Sequence, residues 1–332
     1  MKRKFTLVMA LVLMTALLAA CGGSKPGDVY SKKEAAPEAP VHLKIGQLPI
    51  VDGLPFWVAE KNGYYKQQNV TVELITFKSA LERDAALEGG QIDGTLTDIT
   101  GAVTMYEKGT KLQIASLALG ATKDEGAFAI LAAPNSGITS VEQLKGVDIG
   151  ISTNSVIHYV TDKLLLENGF KPEEIKVTNI PQIPVRFEAL MSGQIKAATL
   201  PEPLLSLAVA KGAKVILDDT KAKQNYSHSV IVFTDKAIQE KGQGIKRFFI
   251  AYNLAVLDIR DKAEDYRDLL AEKAKLPAEI KNSFPVVRFS PSQAPQKADV
   301  EAVVQWLLEK KIIATKVEYE QLVNKTLYPQ VK

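Results

Sequence analysis

Three observations predict an α/β chain of two doubly wound lobes facing each other across a central cleft. The stretch Ala86–Leu112 recurs as Ala189–Val215 at a constant offset of 103 residues. Identical pairs include Leu87/Leu190, Gly90/Gly193, Gln91/Gln194, Ile92/Ile195 and Gly109/Gly212, eight of 27 positions in all. Chance would give about two at ordinary residue frequencies. Second, the echo runs upstream once short gaps are allowed: Leu43–Gly46 matches Val147–Gly150, and Asn62-Gly63 matches Asn168-Gly169. Third, strand-like and helix-like segments alternate through both copies, the pattern of a mostly parallel sheet covered by helices. A repeat of about 100 residues is too long for a solenoid unit and suits a whole lobe.

Each element has a local reason. Val41–Ile45 alternates apolar and polar residues, as a strand does. Pro55 suits the first turn of a helix through Ala59, which stops at Asn62-Gly63. Val70–Ile75 is a strand, Ser79–Glu88 a helix closed by Gly89-Gly90, and Ile92–Leu96 a short strand. A helix then reaches Gly109, and Leu112–Leu117 is the next strand. The second copy repeats this order with Asp148–Ile151, the helix Val156–Glu167, Ile175–Asn179, the helix Val185–Met191, Ala197–Leu200, a helix to Gly212, and Lys214–Leu217. Two polar segments, Leu119–Phe128 and Asp218–Ser229, are the expected crossings between lobes. This gives lobe 1 as 41–119 plus 229–332 and lobe 2 as 124–222. Helices at Ile245–Arg260 and Asp299–Lys310 are expected to pack on lobe 1, because the chain has by then crossed twice.

The N-terminus reads as a secretory signal, residues 1–20, in which Lys2, Arg3 and Lys4 precede an apolar run too short to span a bilayer. It ends in Leu18-Ala19-Ala20-Cys21, which resembles a bacterial lipobox. Cys21, the chain's one cysteine, is the expected lipidated residue, and no disulfide can form. Residues 21–40 are rich in Gly, Ser, Lys, Glu, Ala and Pro and read as a flexible tether. Without the three basic residues of the signal, 38 basic residues balance 38 acidic ones, so no electrostatic case for nucleic acid exists.

These residues resemble the solute-binding lipoproteins of ABC importers, in the nitrate/sulfonate/taurine branch that also holds thiamine-precursor binders. Gly53-Leu-Pro55 with Ala59 and Gly63-Tyr-Tyr65 looks like that branch's first-helix pattern. Asn135–Gly146 resembles its second-lobe entry, Ser192–Ile195 and Glu202-Pro203 its second-lobe signature, and Asp299–Ile313 its C-terminal helix. The resemblance spans nearly all of 41–328. It implies a periplasmic-binding-protein type II fold, capture of a sulfonate, taurine-like or thiamine-pyrimidine-like solute, and delivery to permease and ATPase subunits. It also implies a monomer anchored by lipid on the extracytoplasmic side of the cell membrane, periplasmic or at the cell surface.

Ligands of doubly wound sheets bind beyond the carboxyl ends of the strands. Four loops meet that rule: Gln47–Gly53, Thr97–Thr100, Ser152–Ser155 and Pro201–Pro203. They make Gln47, Asp52, Thr97, Asp98 and Glu202 candidates. Ser152, Thr153, Asn154 and Ser155 follow a strand and open a helix, where free N–H groups suit an anion; a simple helix cap is the plainer alternative. Asp98 and Glu202 are then acceptors for an amine at the ligand's other end. Phe56 and Trp57 adjoin on one helix, where neighbours cannot both face the core; packing is the default, and Trp57 is the candidate for the cleft. Arg186 is either a counter-ion for an anionic ligand or a solvated helix-start residue.

Enzyme chemistry finds little footing. The three histidines, His42, His158 and His228, fall in a strand, a helix and a crossing, with no Cys/His cluster for zinc and no phosphate loop. No cofactor is expected. A thiamine-pyrimidine synthase shares the fold within the resembling superfamily, but its cofactor lysine and cysteine chemistry has no counterpart here. A receptor that signals to a partner protein is the other class to weigh against transport.

Overall fold

A computed structural model describes residues 39–122, 125–126 and 128–329. The expected signal, Cys21 and nearly all of the tether lie outside the described residues. From Pro40 onward the chain forms one unit. Its elements run β1 (Val41–Gln47), α1 (Leu54–Lys61), α2 (Tyr64–Gln67), β2 (Val70–Thr76), α3 (Ala80–Glu88), β3 (Gly94–Asp98), α4 (Ile99–Glu107) and β4 (Leu112–Leu119). After the first crossing come β5 (Phe128–Ala132), β6 (Asp148–Ile151), α5 (Val156–Glu167), β7 (Lys176–Asn179), α6 (Ile183–Met191), β8 (Ala197–Pro201), α7 (Leu204–Ala210) and β9 (Lys214–Asp218). After the second come β10 (Ser229–Thr234), α8 (Asp235–Asp261), α9 (Arg267–Lys273), α10 (Ala278–Lys281), α11 (Lys297–Glu309) and α12 (Tyr319–Leu322).

The two sheets have the same plan, β2-β1-β3-β10-β4 in lobe 1 and β7-β6-β8-β5-β9 in lobe 2. In each, the fourth strand runs antiparallel to its neighbours and adjoins a crossing. The side-chain packing repeats as well. A Cβ on Gly46 would meet the Ile92 side chain at 2.6 Å, and one on Gly150 would meet Ile195 at the same distance. This close approach explains why both glycines and both isoleucines recur. It also explains a shifted boundary: Ile92 packs ahead of β3 instead of opening it, while the Asp93 carboxylate accepts from Lys44 N at 2.8 Å.

Strands β5 and β10 are not visible in the sequence pattern. Every residue of β5 is buried, as is Ser229–Phe233 of β10, so both read as plain apolar runs. The crossings lie side by side, with Asn225 Nδ2 donating to Gly120 O and Thr122 O at 3.0 and 2.9 Å.

The argument that Phe56 and Trp57 cannot both be buried fails. They are 0% and 2% exposed, because every residue of α1 from Leu54 to Ala59 is buried. Long helix α8 lies against it, and Phe56 meets Phe248 and Tyr252 with ring centres 5.7 and 5.8 Å apart. Helix α8 thus packs on lobe 1. Two later pieces also reach lobe 2: Lys211 on that lobe pairs with Glu279 of α10 at 3.6 Å, and Trp306 Nε1 of α11 donates to Asp162 of α5 at 2.9 Å.

Candidate functional site

Three adjoining cavities follow the cleft between the lobes. The innermost encloses about 50 Å³ and is lined by Asp52, Arg83, Thr97, Asp98 and Ser229 from lobe 1 and by Ser152 and Ser155 from lobe 2, among apolar neighbours. An outer cavity of about 230 Å³ shares Asp98, Ser152 and Ser155 with it and adds Asp84, Glu88, Lys108, Thr153, Asn154 and Asn179. On the opposite side a chamber of about 670 Å³ shares Ile50, Ile183 and Pro201 with the innermost space. Its walls include Phe77, Phe187, Leu204 and Leu207, with Glu202 and Lys273 among the charged groups. A few charged and hydroxyl groups set among apolar walls are the usual make-up of a small-molecule site.

The folded chain puts buried charge at that centre. Asp98 ends β3 and is the N-cap of α4, accepting from Gly101 N at 2.7 Å. Burial raises its pKa above the usual carboxylate range; the positive Arg83, the Gly101 N–H and the Val156 N–H of lobe 2 pull the other way. Asp52 lies in the turn before α1 and accepts from the Ser229 hydroxyl. Its pKa is also raised by burial, against the Ser229 hydrogen bond and the charge of Arg83. Arg83 itself is 3% exposed; its guanidinium donates to Thr97 Oγ1 at 2.6 Å and through Nε to Asp84 Oδ1 at 2.8 Å.

The other predicted residues divide. Thr97, Ser152 and Ser155 line the innermost cavity, while Thr153 and Asn154 line the outer one. Ser155 is the N-cap of α5 but makes no cap bond; its hydroxyl donates to Ser152 O at 2.8 Å. Gln47 is buried beside Gly53, with Nε2 3.4 Å from Thr76 Oγ1 and Oε1 unpartnered. Neither Gln47 nor Trp57 lines the three cavities. Glu202 lines only the large chamber, where Ser206 donates to it through N and Oγ at 3.1 and 2.8 Å, so Asp98 and Glu202 do not share one cavity. Burial raises the Glu202 pKa against those two hydrogen bonds.

Arg186 is not solvated, and it lines none of the three cavities. It is 0% exposed and braces lobe 2 from within, donating to Thr199 O at 3.0 Å and Ile180 O at 2.6 Å. Sequence reasoning overlooked Arg83, although the repeat itself pointed there: Arg83 precedes Arg186 by the same 103 residues. Ser229 carried no signal, since it becomes a cleft residue only by joining a strand hidden in an apolar run.

Comparison with known proteins agrees with this architecture. The NMT1/THI5 like family model matches residues 51–264, more than half of the chain, and the chain belongs to that family. The "Putative aliphatic sulfonates-binding protein" of Bacillus subtilis (strain 168) is 22% identical over 270 residues, 80% of this chain and 77% of that one. The alkanesulfonate-binding protein SsuA from Xanthomonas axonopodis pv. citri, solved with MOPS, superposes with a TM-score of 0.74 at 19% identity, covering 88% of this chain and all of that one (100%). A ligand binding component of an ABC-type import system from Staphylococcus aureus, solved with zinc, gives 0.72 at 16% identity, over 86% and 97% of the two chains. The fold is therefore that of the periplasmic solute-binding proteins. Among the described residues no group of three His, Cys, Asp or Glu side chains could hold a metal.

Proposed function

We propose that this chain is the solute-binding receptor of an ABC importer, held outside the cytoplasmic membrane by a lipid on Cys21. It closes its lobes over a small polar organic solute and presents it to a permease driven by an ATPase subunit. The observation that carries this reading is the innermost cavity, where post-strand loops of both lobes surround a buried guanidinium and two buried carboxylates. Buried charges are costly without partners, and a solute that meets those of lobe 1 while touching Ser152 and Ser155 of lobe 2 would hold the two lobes together. The named functions of the Bacillus, Xanthomonas and Staphylococcus proteins support the same reading.

A thermal-shift screen of sulfonates, taurine, nitrate, amines and aminopyrimidines is the direct test. One class should raise the melting temperature, and small-angle scattering with that compound should show a smaller radius as the lobes close about the crossings. A folded protein that responds to none of these compounds overturns the receptor reading. The anchor is tested separately: membrane-extracted protein should begin with a lipid-bearing Cys21, and a Cys21→Ser form cut at the same bond and still membrane-bound argues against it.

A further inference from the structure

We propose that His158 positions the Ser152–Ser155 loop and ties solute capture to pH: the neutral imidazole holds the loop through the Asn154 N–H, and the protonated one releases it. The proposal deepens the receptor reading and rests on it.

The loop and the histidine belong to one stretch of chain. Residues 152–155 follow β6, line the outer cavity, and through Ser152 and Ser155 also the innermost one. They open α5, on whose first turn His158 stands, buried. Asn154 turns the loop with a φ of 58°, a left-handed conformation uncommon outside glycine. Two side chains steady that turn. Asn179, which ends β7, accepts from Thr153 N at 3.1 Å, and His158 Nδ1 accepts from Asn154 N at 3.4 Å. An imidazole nitrogen that accepts carries no proton, so the proton of the neutral ring sits on Nε2.

Nε2 faces Asp162 Oδ1 at 3.9 Å, one turn further along α5. That oxygen is buried and has no hydrogen-bond partner, because Trp306 Nε1 and Lys310 Nζ of α11 both go to Oδ2. The Trp306 ring stands edge-on to the imidazole, with centres 5.0 Å apart. The charges that act on the ring are therefore Asp162 from α5 and Lys310 from α11; the loop brings none. Burial opposes protonation, Asp162 favours it and Lys310 opposes it, with the net result that His158 titrates below the usual histidine value near 6.5.

Protonation reverses one hydrogen bond. The second proton goes to Nδ1, since Nε2 already holds the first. Nδ1–H and Asn154 N–H are then two donors facing each other, and their bond is lost. The positive ring is at the same time attracted to Asp162 Oδ1, away from the loop. The loop thereby loses one of the two side chains that steady it, at the wall of both cavities.

Two measurements on the folded receptor test this. Nitrogen resonances of the His158 ring should show an unprotonated Nδ1 at pH 7, and the Asn154 amide should move with the ring's titration. Calorimetry at pH 7 and pH 5 then uses butanesulfonate, taurine and benzamidine, whose charges do not change over that range. Those that bind the parent should weaken by about tenfold in acid, the weight of one buried hydrogen bond. His158→Asn offers an acceptor oxygen in place of Nδ1 and does not titrate, so its affinity should change with pH far less than the parent's. His158→Phe, with no acceptor, should bind weakly at both pH values. The proposal is overturned if Nδ1 carries the proton at pH 7 or the Asn154 amide ignores the titration. It is also overturned if His158→Asn loses as much affinity in acid as the parent, which would assign the loss to Asp52, Asp98 or Glu202. In each of these cases the receptor reading stands. A folded parent that binds none of the three probes at either pH overturns both.

Discussion

Arg83 and Arg186 are the fourth residues of equivalent helices, α3 and α6, 103 positions apart, and both are buried, yet only Arg83 lines the cleft. Arg186 is pushed down to about 10 by burial and binds backbone carbonyls. Arg186→Met removes a donor from the buried Thr199 carbonyl and another from the half-buried Ile180 carbonyl, a buried one costing about 1–3 kcal/mol when left unpaired. Urea unfolding should show a loss of about 3 kcal/mol, with solute affinity of the folded fraction unchanged. An unchanged midpoint would refute its role as a brace.

Arg83→Met should act on the cleft instead. Arg83 is the largest influence holding the Asp98 pKa down against burial. Its removal should move the Asp98 titration upward, as read from side-chain carboxyl resonances. A downward move or none contradicts the placement of the guanidinium.

The buried groups give stability a two-sided pH dependence. The Asp52 pKa is raised in the folded state by burial, so the folded chain holds that proton more tightly than the unfolded one. Its ionisation therefore costs stability as pH rises through the folded pKa, and the cost disappears below the unfolded value near 4. Asp52→Asn should be more stable than the parent at pH 7, with the gain shrinking in acid. His158 behaves in the opposite sense. Burial lowers its pKa, against the pull of Asp162, so stability is present above the unfolded value near 6.5 and is lost as pH falls through the folded one. His158→Phe should flatten that acid limb in melts between pH 7 and 5.

Asp162 of α5 is fully buried and held by two groups at the C-terminal end of α11: Trp306 Nε1 at 2.9 Å and Lys310 Nζ at 2.6 Å. Breaking a buried pair by removing one partner typically costs about 3–5 kcal/mol. Lys310 is a third exposed, so Lys310→Met should cost about 2 kcal/mol. The pair Asp162→Leu/Lys310→Met should recover much of it. A double variant as unstable as the sum of the singles would deny the coupling.

The large chamber gives a separate expectation. Phe77 and Phe187 line it from lobe 1 and lobe 2. Truncating either to Ala should weaken a solute with an aromatic or alkyl part by about tenfold, roughly 1.4 kcal/mol, and leave a compact one such as methylamine unaffected. Equal losses for both would mean that the lobes no longer close.

The lobes and most of their strands were legible because the repeat and the strand–helix alternation are local patterns. β5 and β10 were not, since strands covered on both faces lose alternation. Phe56 and Trp57 misled because a helix buried all round has no exposed stripe. For the site, the four loops were readable, but which side chains turn inward depends on packing. Arg83 and Arg186 share a repeat position, and only the folded neighbours decide that one meets carboxylates and the other carbonyls. Glu202 illustrates the same limit, since it lines the large chamber, bonded to Ser206 of the helix that follows it.

The fourth slot of each sheet has a consequence for the growing chain. All five strands of the second lobe lie between Phe128 and Asp218, so its sheet can be completed as soon as that stretch is available. The first lobe starts at Val41 but has a vacancy between β3 and β4 until Ser229–Thr234 arrives. Newly made protein can therefore complete the sheet of its later half before that of its earlier half. The earlier half waits, with two unpaired strand edges that a chaperone would need to shield.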